Sequence, residues 1–258
     1  MATEQLDLQG LRIIVTGAGS GLGRQMALGL AAANASLVLC GRRSTALEET
    51  AELVIGGGGS VSSVPADVTD EADLLRLERA AGRIDVLVNN AGVSRVQAWD
   101  TLSITDWRAV MALNVDAPFR LIQLFAPSMA RRGWGRIINI GSVYGIQSGD
   151  PRNYPGIDWD LPAYVVSKHA LVGLTKYMAT VLAEDGICVN MISPGMFLTE
   201  GNEERLTEPV RKKLSAATPM RRLGSSDDLQ AAVVYLASKG AGFVTGQNLV
   251  VDGGWSVW

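Results

Sequence analysis

The sequence predicts a single α/β domain built on a parallel β-sheet with helices on both faces. Three observations carry that expectation. Short β-branched apolar runs alternate with longer segments of helical periodicity along the 258 residues. Most of those runs are apolar at consecutive positions, so both faces of the strands need cover. A glycine-rich turn joins the first run to the first helix, as in ligand-binding βαβ units.

Taken in order, "LRIIVTG" (11–17) is the first expected strand and "LGRQMALGLAAAN" (22–34) the helix after it, with apolar residues three and four apart. "ASLVLCG" (35–41) is the second strand. "IGGGGS" (55–60) is short enough to be a turn into the third, "SVSSVPAD" (60–67), and not an interdomain linker. A short helix in "DEADLLRLERAAGRID" (70–85) leads to the fourth, "IDVLVNN" (84–90). "GRIINIGS" (135–142), "GICVNMISPG" (186–195) and "QNLVVDGG" (247–254) complete seven. The helix "LVGLTKYMATVLAEDG" (171–186) should stop at its Asp-Gly pair. No repeat or second-domain boundary interrupts residues 1–258.

Composition excludes several function classes. A net charge of −3 with no basic tract argues against nucleic acid. Cys40 and Cys188 lie inside apolar runs and read as small core residues, not as a disulfide or metal pair. With His169 the single histidine, a His-rich zinc site is ruled out, and no metal is expected. The start "MATEQLDLQG" has no basic region followed by an apolar core, and no uncharged run approaches ~20 apolar residues. A cytoplasmic protein that binds neither membrane nor nucleic acid is expected.

The first strand runs into "TGAGSGLGRQ" (16–25), which sets Gly17, Gly21 and Gly23 at G-x-x-x-G-x-G before a helix. Glycines let the backbone approach a pyrophosphate whose charge the helix N-terminal amides stabilise. The same pattern also occurs as a plain tight connection; its place between an apolar strand and a helix favours the dinucleotide reading. At the end of the second strand, where NAD enzymes carry a carboxylate, stand Gly41, Arg42 and Arg43. A guanidinium at Arg42 would hold a 2′-phosphate, so NADP(H) is expected ahead of NAD(H), although both arginines also suit a solvated helix start.

The ordered set "TGAGSGLG" (16–23), "ADV" (66–68), "NNAG" (89–92), "ALNV" (112–115), "INIGS" (138–142), "YVVSK" (164–168), "SPG" (193–195) and "VDGG" (251–254) resembles the short-chain dehydrogenase/reductase family from about Leu8 to the C-terminus. The resemblance implies a single-domain doubly wound Rossmann fold with a seven-stranded parallel sheet. It implies that Ser20 and Leu22 join the glycines around the cofactor, that Asp67 and Val68 meet the adenine, and that Asn89 with Asn90, Ala91 and Gly92 supports the cleft. It further implies Pro194, Gly195 and Phe197 beside the nicotinamide, Thr199 on its carboxamide, and a homotetramer with "VDGG" near a subunit interface.

Two tyrosines compete for the proton-transfer role. A phenol with pKa near ~10 is a poor base until nearby positive charge stabilises its phenolate. Tyr164 has Lys168 four residues on, on the same helical face; Tyr154 has Asp158 at that offset and precedes Pro155. Tyr164 is therefore the expected base, with Ser142 at the end of the fifth strand to stabilise the reacting oxygen. Ser142 is twelve residues before Tyr154 and twenty-two before Tyr164. Spacing alone would mislead, and an insertion near 148–158 accounts for it. A hydrolase is disfavoured because "IGSVY" lacks a G-x-S-x-G elbow. The family resemblance completes a tetrad with Asn114, as an orderer of relay water; from its surroundings alone the same residue reads equally as a helix-distorting polar group.

Substrate residues are expected in Arg95 and Gln97, in Arg152 and Asn153 of the insertion, and under a helical lid near 196–217 that opens with "MFLTEGNEERL" (196–206). So many polar side chains point to a sugar, sugar acid or polyol as the small-molecule substrate. A 3-oxoacyl-carrier-protein reductase and a dinucleotide-binding regulator without activity are the alternatives, the latter disfavoured by the intact tetrad.

Overall fold

The computed structural model describes residues 2–149, 159–200 and 206–257. The strands are β1 (Arg12–Thr16), β2 (Ser36–Gly41), β3 (Ser60–Pro65), β4 (Val86–Asn89), β5 (Gly135–Ile140), β6 (Ile187–Pro194) and β7 (Asn248–Val251). The helices are α1 (Ala2–Leu6), α2 (Gly21–Ala32), α3 (Ser44–Gly56), α4 (Glu71–Ala81), α5 (Ile104–Met111), α6 (Ala117–Arg131), α7 (Pro162–Leu182), α8 (Glu208–Ala217) and α9 (Ser226–Ala237). The strands form one sheet in the order β3-β2-β1-β4-β5-β6-β7, parallel throughout. The chain thus winds outward from β1 to β3, then crosses to β4 on the other side of β1. That reversal opens a crevice at the carboxyl ends of β1 and β4, where ligands of open α/β sheets bind.

Apolar runs become strands because both faces are covered. Every residue of β4, β5 and β6 is buried, whereas edge strand β3 alternates exposed and covered positions. Successive residues point to opposite layers. Ile13 and Val15 enter the layer of Met26, Leu30 and Leu236, while Ile14 enters that of Leu77, Leu121 and Phe125. Truncating one such buried Leu or Phe to Ala would cost about 2–5 kcal/mol, lost transfer energy and cavity together.

A π-helical turn (Ala112–Asp116) joins α5 to α6, making one helix long and apolar enough to cross a membrane. Its apolar stripe of Leu121, Ile122, Phe125 and Met129 is buried in the second core layer, and Arg120 on its other side pairs with Glu71. It is a core helix. Helix α7 ends at Leu182, short of the expected Asp-Gly stop; that pair closes the turn into β6, where Gly186 has φ +72° and a Cβ would lie 2.1 Å from the Gly133 carbonyl oxygen.

The segment after β6 differs from the expectation. Residues 196–200 are not helical. Phe197 forms a β-bridge with Gly224, closed by Gly224 N–H to Met196 O (2.8 Å) and Leu198 N–H to Gly224 O (3.2 Å). Among the described residues the next helix starts at Glu208, with a proline in its first turn, where fixed φ and a missing N–H suit a helix start.

Candidate active site

The crevice at the switch point is a cavity of about 950 Å³. One end is walled by the turn after β1. Gly17 and Gly21 sit at φ +64° and +55°, in the left-handed region that favours glycine. A Cβ on Gly23 would lie 2.2 Å from the Gly17 carbonyl oxygen and 2.5 Å from Asn90 Nδ2, so no larger residue fits without moving backbone. The turn is held by Thr16, whose buried hydroxyl accepts from the N–H groups of Asn90 (2.9 Å) and Ala91 (3.0 Å). Asn90 Nδ2 donates in return to Thr16 O at 2.8 Å. These bonds lock the ends of β1 and β4 together. Thr16 was not anticipated; its one signal is a hydroxyl at the end of an otherwise apolar strand.

Arg24 is a second unanticipated residue. It donates to Gly19 O (2.7 Å), Thr50 Oγ1 (3.0 Å), Glu49 (2.8 Å) and Glu200 (3.0 Å), tying the glycine-rich turn to α3 and to the segment after β6. Further along the cavity, Gly41, Arg42, Asp67 and Val68 line the wall. Arg43 donates to Ser20 Oγ at 3.3 Å, while the exposed Arg42 has no hydrogen-bond partner among the described residues. Ser20, Leu22, Gly92, Gly195, Phe197 and Thr199 also line the cavity. Pro194 ends β6 behind it, and Gly195 is required small, since a Cβ would lie 2.7 Å from that of Asp252. Asn89 is elsewhere: it donates to Asn139 (2.9 Å) within a buried polar chain that continues to Thr175.

The other end holds the reactive side chains. Ser142 closes β5 and Tyr164 and Lys168 face it from one turn of α7. Ser142 Oγ accepts from Tyr144 N–H at 3.2 Å, which leaves its own proton for the Tyr164 oxygen, to which it is hydrogen-bonded. Burial pushes the Tyr164 phenol above its ordinary range, and the Ser142 bond pulls against that shift. Lys168, 5% exposed, donates to Ile140 O at 2.7 Å and stands 5.6 Å from the Tyr164 ring centre. Burial lowers its pKa to about 8, so at neutral pH it is still mostly an ammonium. His169 turns away and bonds Val165 O.

Asn114 lies inside the π-helical turn, so helix distortion and site geometry coincide. Its Oδ1 accepts from Val93 N–H (2.9 Å), and its Nδ2 donates to Val93 O (3.0 Å) and Ser167 Oγ (2.9 Å). Ser167 in turn donates to Tyr164 O at 2.7 Å. The amide clamps the loop after β4 onto α7 and so sets Tyr164. A Cβ on Gly92 would sit 3.3 Å from Asn114 Oδ1 and 3.6 Å from Lys168 Nζ, which keeps this corner tight.

The expected polar substrate wall is only partly present. Arg95 lines the cavity but is paired with Asp106. Gln97 is absent from the lining; its amide donates to Thr101 O at 2.8 Å. Arg152, Asn153 and Tyr154 lie outside the described residues. Among the described residues the cavity lining also includes Val93, Val143, Tyr144, Trp159, Leu161 and Met196, most of them apolar. Among the described residues no cluster of potential metal ligands occurs.

Comparison with known proteins agrees with this geometry. A family model described as enoyl-(acyl carrier protein) reductase matches residues 17–256. Gluconate 5-dehydrogenase of Gluconobacter oxydans is 39% identical over 97% of this chain and 96% of its own. The 7alpha-hydroxysteroid dehydrogenase of Escherichia coli is 35% identical, covering 98% and 96%. The crystal structure of gluconate 5-dehydrogenase from Burkholderia cenocepacia, in complex with NADP and tartrate, superposes with a TM-score of 0.90 at 34% identity, covering all of both chains.

Two expectations follow. Gly23→Ala should weaken dinucleotide binding at least about tenfold and cost about 1–3 kcal/mol of stability, because backbone must move; fluorescence titration and denaturant unfolding measure both. Lys168→Met should abolish activity yet raise the melting temperature at pH 7, since burying the ammonium costs on the order of 3 kcal/mol against about 1 for the orphaned Ile140 carbonyl. Between about 8 and the ordinary lysine value the unfolded chain binds a proton that the folded one lacks, so wild-type stability rises with pH there. The variant's advantage should therefore shrink from pH 8 to pH 10 in thermal melts; a constant gap would show that Lys168 is not the group responsible.

Proposed function

The chain belongs to the short-chain dehydrogenase/reductase family, and on that premise we propose that it interconverts a secondary alcohol and a carbonyl using NADP(H), on a sugar, sugar acid or polyol. The observation that carries the reading is the meeting of Ser142, Tyr164 and Lys168 at one end of a cavity whose other end is the glycine-rich turn and Arg42. The residues fit a dinucleotide. The glycine-rich turn before α2, packed too closely at Gly23 for any Cβ, lines the cavity and would take the pyrophosphate, and the exposed Arg42 suits a 2′-phosphate. A nicotinamide cofactor held there would supply the hydride exchange with the substrate carbon.

The chain's own residues manage the proton. Ser142 donates to the substrate oxygen and holds it against Tyr164. In reduction Tyr164 gives its proton to the developing alkoxide; its upward-shifted pKa keeps that proton in place beforehand. In oxidation Tyr164 takes the proton, and the Lys168 ammonium lowers the cost of the phenolate that must form first. Asn114 keeps the Tyr164 turn in register through Ser167.

The sugar-type substrate rests on the gluconate and galactitol dehydrogenases among the relatives. A second reading, an apolar cyclic alcohol, is favoured by the apolar side chains in the cavity lining and by the hydroxysteroid relative. Exposed Phe119 on α6 and Tyr177 and Val181 on α7 suit a homotetramer, which light scattering would test, and a cytoplasmic location completes the proposal.

Tyr164→Phe should lower kcat about 10²–10⁴-fold with cofactor affinity nearly unchanged, whereas Tyr154→Phe should act mainly on substrate affinity. Comparable kcat losses in both variants would overturn the assignment. Gly41→Asp combined with Arg42→Ala should swing preference from NADP(H) to NAD(H) by ~1–3 kcal/mol, the scale of a charged hydrogen bond. Steady-state kinetics with each cofactor decide it, and a wild type that already prefers NAD(H) would contradict the proposed role of Arg42.

A further inference from the structure

Tyr144 follows Ser142 by two residues, in the 3-10 turn Val143–Gly145 beyond β5, and is 4% exposed. Trp159 lies on the far side of the stretch 150–158, just before α7. Its indole N–H donates to the Tyr144 hydroxyl at 2.7 Å. The two rings meet edge to face, centres 6.1 Å apart and planes at 64°. Both line the cavity beside Ser142 and Tyr164.

Gly149 packs on the same pair. A Cβ there would lie 2.8 Å from Tyr144 Cε1 and 3.4 Å from Trp159 Cδ1. Gly149 and Trp159 thus both pack on Tyr144. An aromatic pair fixed by a hydrogen bond and an edge contact is rigid, and a rigid apolar surface rejects a misfitting carbon skeleton. Tyr144 is also joined to the chemistry, since its N–H donates to Ser142 Oγ at 3.2 Å.

We propose that Tyr144 and Trp159 are the specificity-determining wall of this site, packing on the C–H face of the substrate next to the reacting carbon while Ser142 and Tyr164 read its oxygen. The proposal rests on the dehydrogenase reading but not on the sugar in particular. Trp159 acts on substrate fit alone. Tyr144 acts on fit and, through its backbone, on the serine.

The test is steady-state kinetics of Trp159→Ala, Trp159→Phe and Tyr144→Phe on gluconate, galactitol and a 7α-hydroxysteroid, with NADP(H) affinity measured by fluorescence. Trp159→Ala should raise KM for the best substrate about tenfold or more and flatten the ranking across the panel, with kcat and cofactor affinity each changed less than about threefold. Trp159→Phe keeps a ring but loses the donor, and Tyr144→Phe loses the acceptor. Each should move KM in the same direction by less, and the double variant should add little to either. Should Trp159→Ala fail to fold, these two milder variants carry the same test. KM and ranking unchanged in every variant that folds would overturn the proposal, as would loss of cofactor affinity in parallel with KM, which marks a merely structural pair. A wild type that prefers the steroid defeats the sugar reading while leaving the wall to be judged on the steroid's KM; a wild type that prefers gluconate or galactitol with KM unmoved in the variants defeats the wall alone.

Discussion

Lys168 holds an ammonium at 5% exposure, and Ile140 O is its one hydrogen-bond partner among the described residues. Burying a cation without a carboxylate beside it is costly, and the cost appears as a pKa drawn down to about 8. The fold holds it there because α7 packs against β6 and the 3-10 turn after β5, leaving the side chain one direction to run. The cost stays where it is useful, one helical turn from Tyr164. A solvated lysine would stabilise a phenolate far less, because water screens its charge.

Around that cation the two halves of the sheet are joined by polar bonds in an otherwise apolar core. Thr16 and Asn90 pair the ends of β1 and β4, and Asn114 with Ser167 pins the loop after β4 to α7. Thr16 and Asn114 thereby accept from the N–H groups of Asn90, Ala91 and Val93, just beyond β4, which would otherwise be orphaned. The turn after β1 and the start of α7 are thus each tied to the segment after β4: Thr16 bonds Asn90 and Ala91, and Asn114 joins Val93 to Ser167.

The π-helical turn at Ala112–Asp116 shows how local strain serves this arrangement. A regular helix through 104–131 would phase its residues differently on either side of position 114. The wider turn lets Val110 and Leu121 both face the core while Asn114 faces Val93. An asparagine in an apolar helix is thus both the distortion and its purpose.

Seven strands, their covered faces and the glycine turn were legible because backbone geometry and burial act over a few neighbouring residues: periodicity, a left-handed glycine, a tyrosine with a lysine one turn on. The preference for Tyr164 over Tyr154 rests on an equally local pattern, an i, i+4 lysine, and the structure sets Tyr164 and Lys168 beside Ser142. Thr16, Arg24, Ser167 and the Tyr144–Trp159 pair were not, since each has a partner between 15 and 176 residues away and no local pattern announces it. Polar Arg95 and Gln97 looked like substrate ligands in sequence, but tertiary structure spends Arg95 on Asp106 and Gln97 on Thr101. The sequence by itself determined the parallel fold and the glycine-rich turn after β1, because those depend on short-range conformation. Only the tertiary structure decided which polar groups face the cavity, because hydrogen-bond partners are assigned by where the packed chain brings them.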